Sequence, residues 1–316
     1  MKLSNKRLQT LIHGAYRFLD QKGGYMSFCH YDEEQTKYLE FEKFFYDRAF
    51  FTSSVTIELI TDATEIAFDY KVYLASSFDT VDLFIEGVAH EMKAVKDMGE
   101  KGTLSFTLPE GKKKVVIYLP LDTNLGVKNF RVNGSWRSVP KRKTNVLWIG
   151  DSITQGYGGM ISSHTYVNVA NRILGYEILN QGIGGYYYDA KVLKTLENFK
   201  PDKIILAMGT NQFRSADKKE VIDAYYEKLN ALYPNVPMLA VTPLWRELSK
   251  EDKPIFESCV QIIRSQAEKY PNLTIVDGFT LVPGCPQYFL DGLHPNALGM
   301  TLYGQNLANI IKKIGW

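Results

Sequence analysis

The chain has 316 residues, of which 45% are hydrophobic, 13% aromatic and 23% charged, and its formal net charge at pH 7 is +2. This composition excludes a disordered chain, and the length allows one large or two medium domains with buried cores. The 37 basic and 35 acidic residues nearly cancel. We therefore expect neither a nucleic acid nor a membrane as a partner.

The cysteines and the first residues of the sequence indicate in which cellular compartment the protein is expected. Cys29, Cys259 and Cys285 are far apart and form no C-x-x-C pair, so neither a disulfide framework nor a thiolate zinc site is expected. The start, MKLSNKRLQTLIHGAY, has no apolar run of signal-peptide length, and the longest apolar stretches have the length of strands. We expect a cytoplasmic protein, or a secreted one if a leader has been removed.

Between about residues 24 and 139 the chain has the pattern of short β-strands separated by turns. β-Branched and aromatic residues recur, often in alternation with polar ones, and turn clusters such as PEGK and VNGS separate the runs. No amphipathic helix is predicted among them. The predicted strands are 54–60, 64–75, 80–87, 102–108 and 113–121. This pattern predicts a β-sandwich domain of the jelly-roll type over residues 1–140.

After residue 140 the pattern changes to short, almost continuous apolar strands that alternate with helices. The predicted strands are 145–150, 176–181, 203–208, 237–242 and 273–278. The predicted helices are 165–175, 218–233, 255–270 and 297–315, with Cys259 on the buried face of the third. Such alternation is typical of a parallel sheet with helices on both faces, so we predict an α/β domain over residues 141–316.

Four polar or glycine-rich clusters fall at or just beyond the carboxyl ends of these strands, where open α/β sheets bind ligands. GDSITQG (150–156) exposes Ser152 at a turn, NQGIGG (180–185) lets the backbone approach a ligand, and GTN (209–211) offers the amide of Asn211. DGLHP (291–295) precedes the last helix and contains Asp291 three residues before His294. Each cluster also occurs as an ordinary turn or cap, but together they indicate a hydrolase with a serine nucleophile.

The four clusters resemble the sequence blocks of the SGNH (GDSL) hydrolases, over roughly residues 144–316. The resemblance implies a flavodoxin-like three-layer α/β/α fold and hydrolysis of acyl esters with no metal and no other cofactor. It implies Ser152 as the nucleophile, His294 as the base and Asp291 as the residue that orients this base. No G-x-S-x-G elbow surrounds Ser152, which argues against the other common serine hydrolase fold.

The same resemblance implies an oxyanion hole made of three donors. These are the backbone N–H groups of Ser152 and Gly185 and the side chain of Asn211. Gly182 or Gly184 could take the place of Gly185, because the three glycines lie close together in the sequence.

A β-sandwich ahead of an SGNH domain is similar to the two-domain carbohydrate esterases, which remove acetyl groups from oligo- and polysaccharides. The resemblance implies acetyl or other short acyl esters on carbohydrate as substrate. Candidate sugar contacts follow the nucleophile turn, the glycine loop and strand 237–242, and they are Tyr157, Tyr186, Trp245 and Arg246. Two alternatives remain, a short-chain lysophospholipase or thioesterase of the same superfamily, and a non-catalytic carbohydrate-binding protein. No oligomeric state is predicted.

Overall fold

The computed structural model describes residues 1–76 and 79–316, and its first half is built mainly of antiparallel strands. The strands of this half are β1 (Ile12–His13), β2 (Arg17–Gln21), β3 (Tyr25–Cys29), β4 (Thr56–Thr61), β5 (Glu65–Ala75), β6 (Thr80–Ile85), β7 (Val88–Ala94), β8 (Lys101–Thr107), β9 (Lys113–Tyr118), β10 (Thr123–Val132) and β11 (Trp136–Ser138). Its helices are α1 (Asn5–Gln9), α2 (Glu33–Leu39) and α3 (Lys43–Arg48).

These strands form two sheets that pack face to face. One sheet has the order β1-β4-β9-β6-β7, with β11 also paired to β4, and the other has the order β2-β3-β10-β5-β8. Alternate residues point inward and meet between the sheets, as Ile57 and Leu59 of β4 do with Phe68 of β5 and Phe130 of β10. The structure therefore confirms the predicted β-sandwich.

Helices α2 and α3 lie where the sequence pattern predicted strands and turns alone, and that prediction is wrong. A capping box starts α2, because the Asp32 side chain accepts from the Gln35 N–H while the Gln35 side chain accepts from the Asp32 N–H. Helix α3 starts where the Glu42 carboxylate accepts from the Phe44 N–H. Both helices are too short for a clear period, and the aromatic residues of α3 favour strands as isolated residues.

The second half is built around one parallel sheet. Its strands are β12 (Asn145–Gly150), β13 (Glu177–Gly182), β14 (Lys203–Ala207), β15 (Met238–Val241) and β16 (Leu273–Val276). Its helices are α4 (Ser152–Gln155), α5 (Tyr166–Leu174), α6 (Lys218–Leu232), α7 (Asp252–Lys269) and α8 (Ala297–Ile314). The sheet order β13-β12-β14-β15-β16 is the flavodoxin-like order.

Helices cover both faces of the parallel sheet. Leu147 and Ile149 of β12 face the layer of α6 and α7, whereas Val146 and Trp148 face the layer of α5 and α8. The predicted three-layer α/β/α fold is thus confirmed, and Cys259 is buried in the first of these layers, as predicted. Across residues 1–76 and 79–316, none of the helices combines the length and the apolar character needed to span a membrane.

A cluster of charged side chains joins the two halves beside residues 139–144, which connect β11 to β12. Glu177, at the start of β13, lies 2.9 Å from His13 Nδ1 and accepts a hydrogen bond from Lys141 Nζ at 3.0 Å. Arg142 Nη2 donates to both carboxylate oxygens of Glu58 at 2.7 Å. These contacts fix one half against the other. A division into two domains at residue 140 stays a prediction.

Candidate active site

The carboxyl ends of three neighbouring parallel strands are level with one another. Gly150 of β12 is paired in register with Gly182 of β13 on one side and with Ala207 of β14 on the other. The loops that follow therefore leave the sheet side by side at the same edge. They are the first three of the four clusters identified in the sequence.

Ser152 is the first residue of α4, directly after the end of β12. The turn is closed by Asp151, whose Oδ1 accepts from the Ile153 N–H at 3.0 Å. A Cβ atom on Gly150 would lie 1.9 Å from Thr154 Oγ1, so only glycine lets α4 fold back this tightly on the strand. Burial raises the pKa of Asp151 to about 7. Ser152 itself is 7% exposed at the surface of this turn.

The fourth cluster brings a histidine onto the serine. A bridge between Phe289 and Pro295 closes the loop before α8 into a tight hairpin. Within it, His294 Nε2 lies 2.8 Å from Ser152 Oγ, and His294 Nδ1 lies 2.8 Å from Asp291 Oδ2. The structure thus brings together the three residues that the sequence resemblance assigned to nucleophile, base and orienting acid.

The carboxylate of Asp291 contacts both the backbone and the side chain of His294. Its second oxygen, Oδ1, accepts from the His294 N–H at 2.8 Å. Partial burial acts to raise the pKa of Asp291, but the hydrogen bonds from His294 outweigh it and hold the pKa below its ordinary 3.8. The carboxyl group is therefore ionised at neutral pH and can accept a hydrogen bond from the Nδ1–H of the imidazole.

The hydrogen bonds of the glycine loop distinguish among its three glycines. The Gly182 N–H donates to Asn180 Oδ1 at 2.9 Å, and the Gly184 N–H donates to Gln155 Oε1 at 2.7 Å. Gly185 is exposed, has a φ of +75°, and its N–H finds no acceptor within the described part of the chain. Of the three, Gly185 is the one whose donor is free to bind a ligand.

Asn211 lies against this loop from the end of β14. Its Nδ2 donates to the carbonyl of Tyr186 at 2.9 Å, and since an amide NH₂ has two protons, the second is left without an acceptor among the residues that the structure describes. The preceding residue is anchored by Arg246, whose Nη1 donates to the carbonyl and to the hydroxyl of Thr210, both at 3.0 Å. The contacts of Arg246 thus support the Asn211 turn, and its predicted contact with a sugar stays a prediction.

The aromatic residues that the sequence analysis proposed as sugar contacts differ in exposure. Tyr157 is half-buried, with its ring 4.7 Å from the His294 ring in an edge-to-face arrangement. Trp245 is half-buried against the hairpin that carries His294. Tyr186 is 4% exposed because its ring packs on Phe45 at 4.9 Å. The Tyr186 ring therefore offers little free surface, and the contacts of Tyr157, Tyr186 and Trp245 with a sugar stay predictions.

Two residues of α3 reach this site although no motif pointed to them. A Cβ atom on Gly185 would lie 3.4 Å from Phe44 Cε1, so the Phe44 ring borders the glycine loop, and it is 46% exposed. The guanidinium carbon of Arg48 lies 3.4 Å from the centre of that ring, a cation–π contact one helical turn away. Their spacing of four residues on a helix is the one signal in the sequence that links them.

The arrangement has the parts that acyl transfer requires. A hydroxyl is hydrogen-bonded to an imidazole, the imidazole to a carboxylate, and backbone and amide donors lie on the neighbouring loops. Within the described residues, no group of three or more His, Cys, Asp and Glu side chains is placed to hold a metal ion.

Known proteins share both the sequence pattern and the fold of this chain. A family model described as the GDSL-like lipase/acylhydrolase family matches residues 148–302, which contain all four clusters. A comparison with curated proteins gives no match.

Several solved structures superpose on nearly the whole chain. A protein from Bacteroides ovatus ATCC 8483, described as a GDSL-like lipase, has a TM-score of 0.79 at 18% identity, covering 99% of this chain and 97% of its own. The salicylyl-acyltransferase SsfX3 from a tetracycline biosynthetic pathway has a TM-score of 0.78 at 20% identity, covering 96% and 94%. A family two carbohydrate esterase from Clostridium thermocellum has a TM-score of 0.70 at 17% identity, covering 96% and 99%. At these identities the likeness shows a shared fold.

Proposed function

Residues 148–302 belong to the GDSL-like lipase/acylhydrolase family, and from this membership we propose that the protein is a serine esterase that removes short acyl groups, acetyl above all, from carbohydrates. The chain is an ester hydrolase of that family. The nucleophile and the class of substrate are what the proposal adds. The observation that carries it is the pair of 2.8 Å contacts from His294, one to Ser152 Oγ and one to Asp291 Oδ2.

The first chemical step is attack of Ser152 Oγ on the ester carbonyl. A serine hydroxyl is a weak nucleophile at neutral pH, so His294 Nε2 takes its proton as the new C–O bond forms. Asp291 accepts a hydrogen bond from the Nδ1–H, which fixes the tautomer that presents a lone pair to Ser152 and stabilises the imidazolium. The alcohol then leaves with the proton of His294, and the acyl group stays on Ser152.

Water completes the cycle through the same groups. His294 takes a proton from water, the hydroxide attacks the acyl-enzyme, and the acid leaves as Ser152 Oγ regains its proton. In both steps of the reaction, acylation and hydrolysis of the acyl-enzyme, negative charge develops on the carbonyl oxygen. The N–H groups of Ser152 and Gly185 and the free amide proton of Asn211 would bind this oxyanion, each contributing on the order of 3 kcal/mol to the barrier reduction.

Three features support a carbohydrate as the alcohol part of the ester. The family two carbohydrate esterase that shares the fold was solved in complex with cellohexaose. Phe44 beside Gly185 and Tyr157 beside His294 offer aromatic surface on two sides of the site, and flat apolar faces of this kind suit sugar rings. The near-neutral charge of the chain is compatible with an uncharged substrate.

The experiment is a substrate panel in which Ser152→Ala supplies the background rate. The panel contains an acetylated xylo-oligosaccharide, p-nitrophenyl acetate, butyrate and octanoate, a short-chain lysophospholipid and acetyl-CoA. We expect the highest kcat/KM on the acetylated sugar, and acetate as the best of the p-nitrophenyl esters. A preference for the lysophospholipid or for acetyl-CoA would identify one of the alternative enzymes. Sugar binding without turnover would identify a carbohydrate-binding protein.

A further inference from the structure

One buried hydrogen-bond chain leads from the β-sandwich to the loop that carries Gly185. Gln155, the last residue of α4, is 1% exposed. Its Nε2 donates to Oδ1 of Asp122, and its Oε1 accepts from the Gly184 N–H at 2.7 Å. Asp122 belongs to the sandwich, just before β10, and is fully buried. This series of hydrogen bonds therefore connects one half of the protein to the other.

The chemistry of Asp122 decides which way the Gln155 amide points. A carboxylate accepts hydrogen bonds and cannot donate them, so the NH₂ group of Gln155 must face Asp122. The carbonyl oxygen of the same amide then faces Gly184 and can accept its N–H. If the amide were reversed, two acceptors would meet at Asp122 and two donors at Gly184, and both contacts would be lost in a buried place.

Asp122 is itself held in place by other groups of the sandwich. Its backbone N–H donates to Asp79 Oδ2 at 2.7 Å, and its Oδ2 accepts from the Ser76 hydroxyl. The carbonyl of Gln155 also accepts from the hydroxyl of Ser53. The sandwich thus contacts both the side chain and the backbone of Gln155, within one helical turn of Ser152.

We propose that Asp122 is a positioning residue for the reaction, which acts through Gln155 on the Gly184–Gly185 turn and so aims the Gly185 N–H at the oxyanion. The inference rests on the proposed role of Gly185 as an oxyanion donor. It assigns the sandwich a part in catalysis, because one of its carboxylates fixes the geometry of the oxyanion hole. An oxyanion donor contributes most when it is preorganised, and small displacements of catalytic groups lower rates strongly.

The expected signature is a loss in kcat with little change in KM, because the oxyanion forms in the transition state and not in bound substrate. Asp122→Ala and Gln155→Met should each lower kcat on p-nitrophenyl acetate by about 10- to 100-fold. The affinity for an alkyl boronic acid, whose tetrahedral adduct on Ser152 mimics the transition state, should fall by the same factor. Asp122→Asn should stay within about threefold of wild type, since its Oδ1 still accepts from Gln155.

Two further variants separate positioning from simple destabilisation. The double variant Asp122→Ala/Gln155→Met should lose no more kcat than Gln155→Met alone, because both act through one contact chain. Gln35→Met is the matched control: Gln35 Nε2 donates to the carbonyl of Val192 at 2.9 Å, another buried hydrogen bond between the two halves. This control should lower the melting temperature and leave kcat and boronate affinity unchanged.

The inference is overturned if folded Gln155→Met keeps wild-type kcat and boronate affinity, or if Gln35→Met loses as much kcat as Gln155→Met does. Should Asp122→Ala not fold, Gln155→Met and Asp122→Asn decide the matter. If instead the proposed function is wrong, Ser152→Ala will retain activity, independently of the effect of substitutions at Asp122.

Discussion

Ser152 Oγ lies 2.8 Å from His294 Nε2, although 142 positions separate the two residues in the chain. Ser152 follows strand β12, the first strand of the parallel sheet along the chain, whereas His294 lies beyond the last strand, in the hairpin before α8. A Cβ atom on Gly158 would come within 2.8 Å of His294 Cβ, so the loop after α4 needs glycine at that position to let the hairpin approach. The pairing therefore depends on both loops.

The roles assigned to His294 and Asp291 predict losses of different size. His294→Ala should lower kcat on p-nitrophenyl acetate by at least about a thousandfold, because among the described residues His294 is the one base hydrogen-bonded to Ser152 Oγ. Asp291→Asn should cost about 10- to 100-fold, since the Asp291 side chain is 46% exposed and water can take part of its place at Nδ1. Steady-state kinetics of both variants measure this.

Asp223→Asn is the matched control for these two variants, because Asp223 lies on α6 and pairs with Lys219 and Lys269. It should keep wild-type kcat. A larger loss for Asp291→Asn than for His294→Ala would contradict the assigned roles.

The role of Asn211 as an oxyanion donor predicts a kinetic effect without a structural one. Asn211 is exposed and, within residues 1–76 and 79–316, the one hydrogen bond of its side chain goes to the carbonyl of Tyr186, so Asn211→Ala should change the melting temperature little. It should lower kcat by about a hundredfold, the effect of losing one such donor. Asn272→Ala, which also removes an amide bound to backbone carbonyls, should leave kcat unchanged. Equal kcat values for the two variants would remove Asn211 from the oxyanion hole.

These site residues were predictable from the sequence because each lies next to an element with a strong local pattern. The strands of the parallel sheet are buried on both faces and therefore read as short apolar runs. The polar residues directly after them must lie at the carboxyl edge. The pattern did not reveal which of the three glycines keeps a free N–H, since that depends on the partners Asn180 and Gln155.

The position of the Phe44 ring beside Gly185 leads to a prediction about the class of substrate. Phe44→Ala removes an exposed ring beside Gly185, so kcat/KM on an acetylated xylo-oligosaccharide should fall by about tenfold, mainly through KM. Activity on p-nitrophenyl acetate should stay within about twofold, because this substrate has no sugar rings to bind. Phe41→Ala is the control, since the Phe41 ring is also exposed but packs on Tyr38 and Phe45. A parallel loss on both substrates would argue against a sugar contact at Phe44.

Phe44 and Asp122 could not be predicted, for a common physical reason. Each contacts a partner far along the chain, Gly185 for Phe44 and Gln155 for Asp122, and no period or motif encodes such pairings. The run KFFYDR gives α3 its aromatic residues, and the place of Phe44 beside Gly185 follows only from the packing of the helix on the glycine loop. The run GGYYY likewise does not tell which of its rings are buried, and the structure buries those of Tyr186 and Tyr188.

The ion cluster between the two halves predicts a pH dependence of stability. Burial acts to raise the pKa of Glu177, but the contacts with His13 and Lys141 outweigh it and lower the pKa to about 2, against an ordinary 4.5. A carboxyl whose pKa is lower in the folded state stabilises the fold fully above its unfolded value. That stabilisation is lost as pH falls from about 4.5 through about 2.

Glu177→Gln should therefore melt at a lower temperature than wild type at pH 6, and the difference should shrink as the pH is lowered toward 2. Thermal unfolding followed by circular dichroism across this range measures it. Glu33→Gln, which removes a carboxylate that is 89% exposed, should show little difference from wild type at any of these pH values. A constant gap between Glu177→Gln and wild type would mean that ionisation of Glu177 does not stabilise the interface.

The most direct test of the account is the rate of acetate release by Ser152→Ala. Wild type and variant are compared on p-nitrophenyl acetate and on an acetylated xylo-oligosaccharide, with thermal unfolding of both recorded in the same buffer. We expect the variant to fall to the uncatalysed rate on both substrates while its melting temperature stays within about 3 °C of wild type. A folded variant that still hydrolyses either ester at a rate near that of wild type would contradict it.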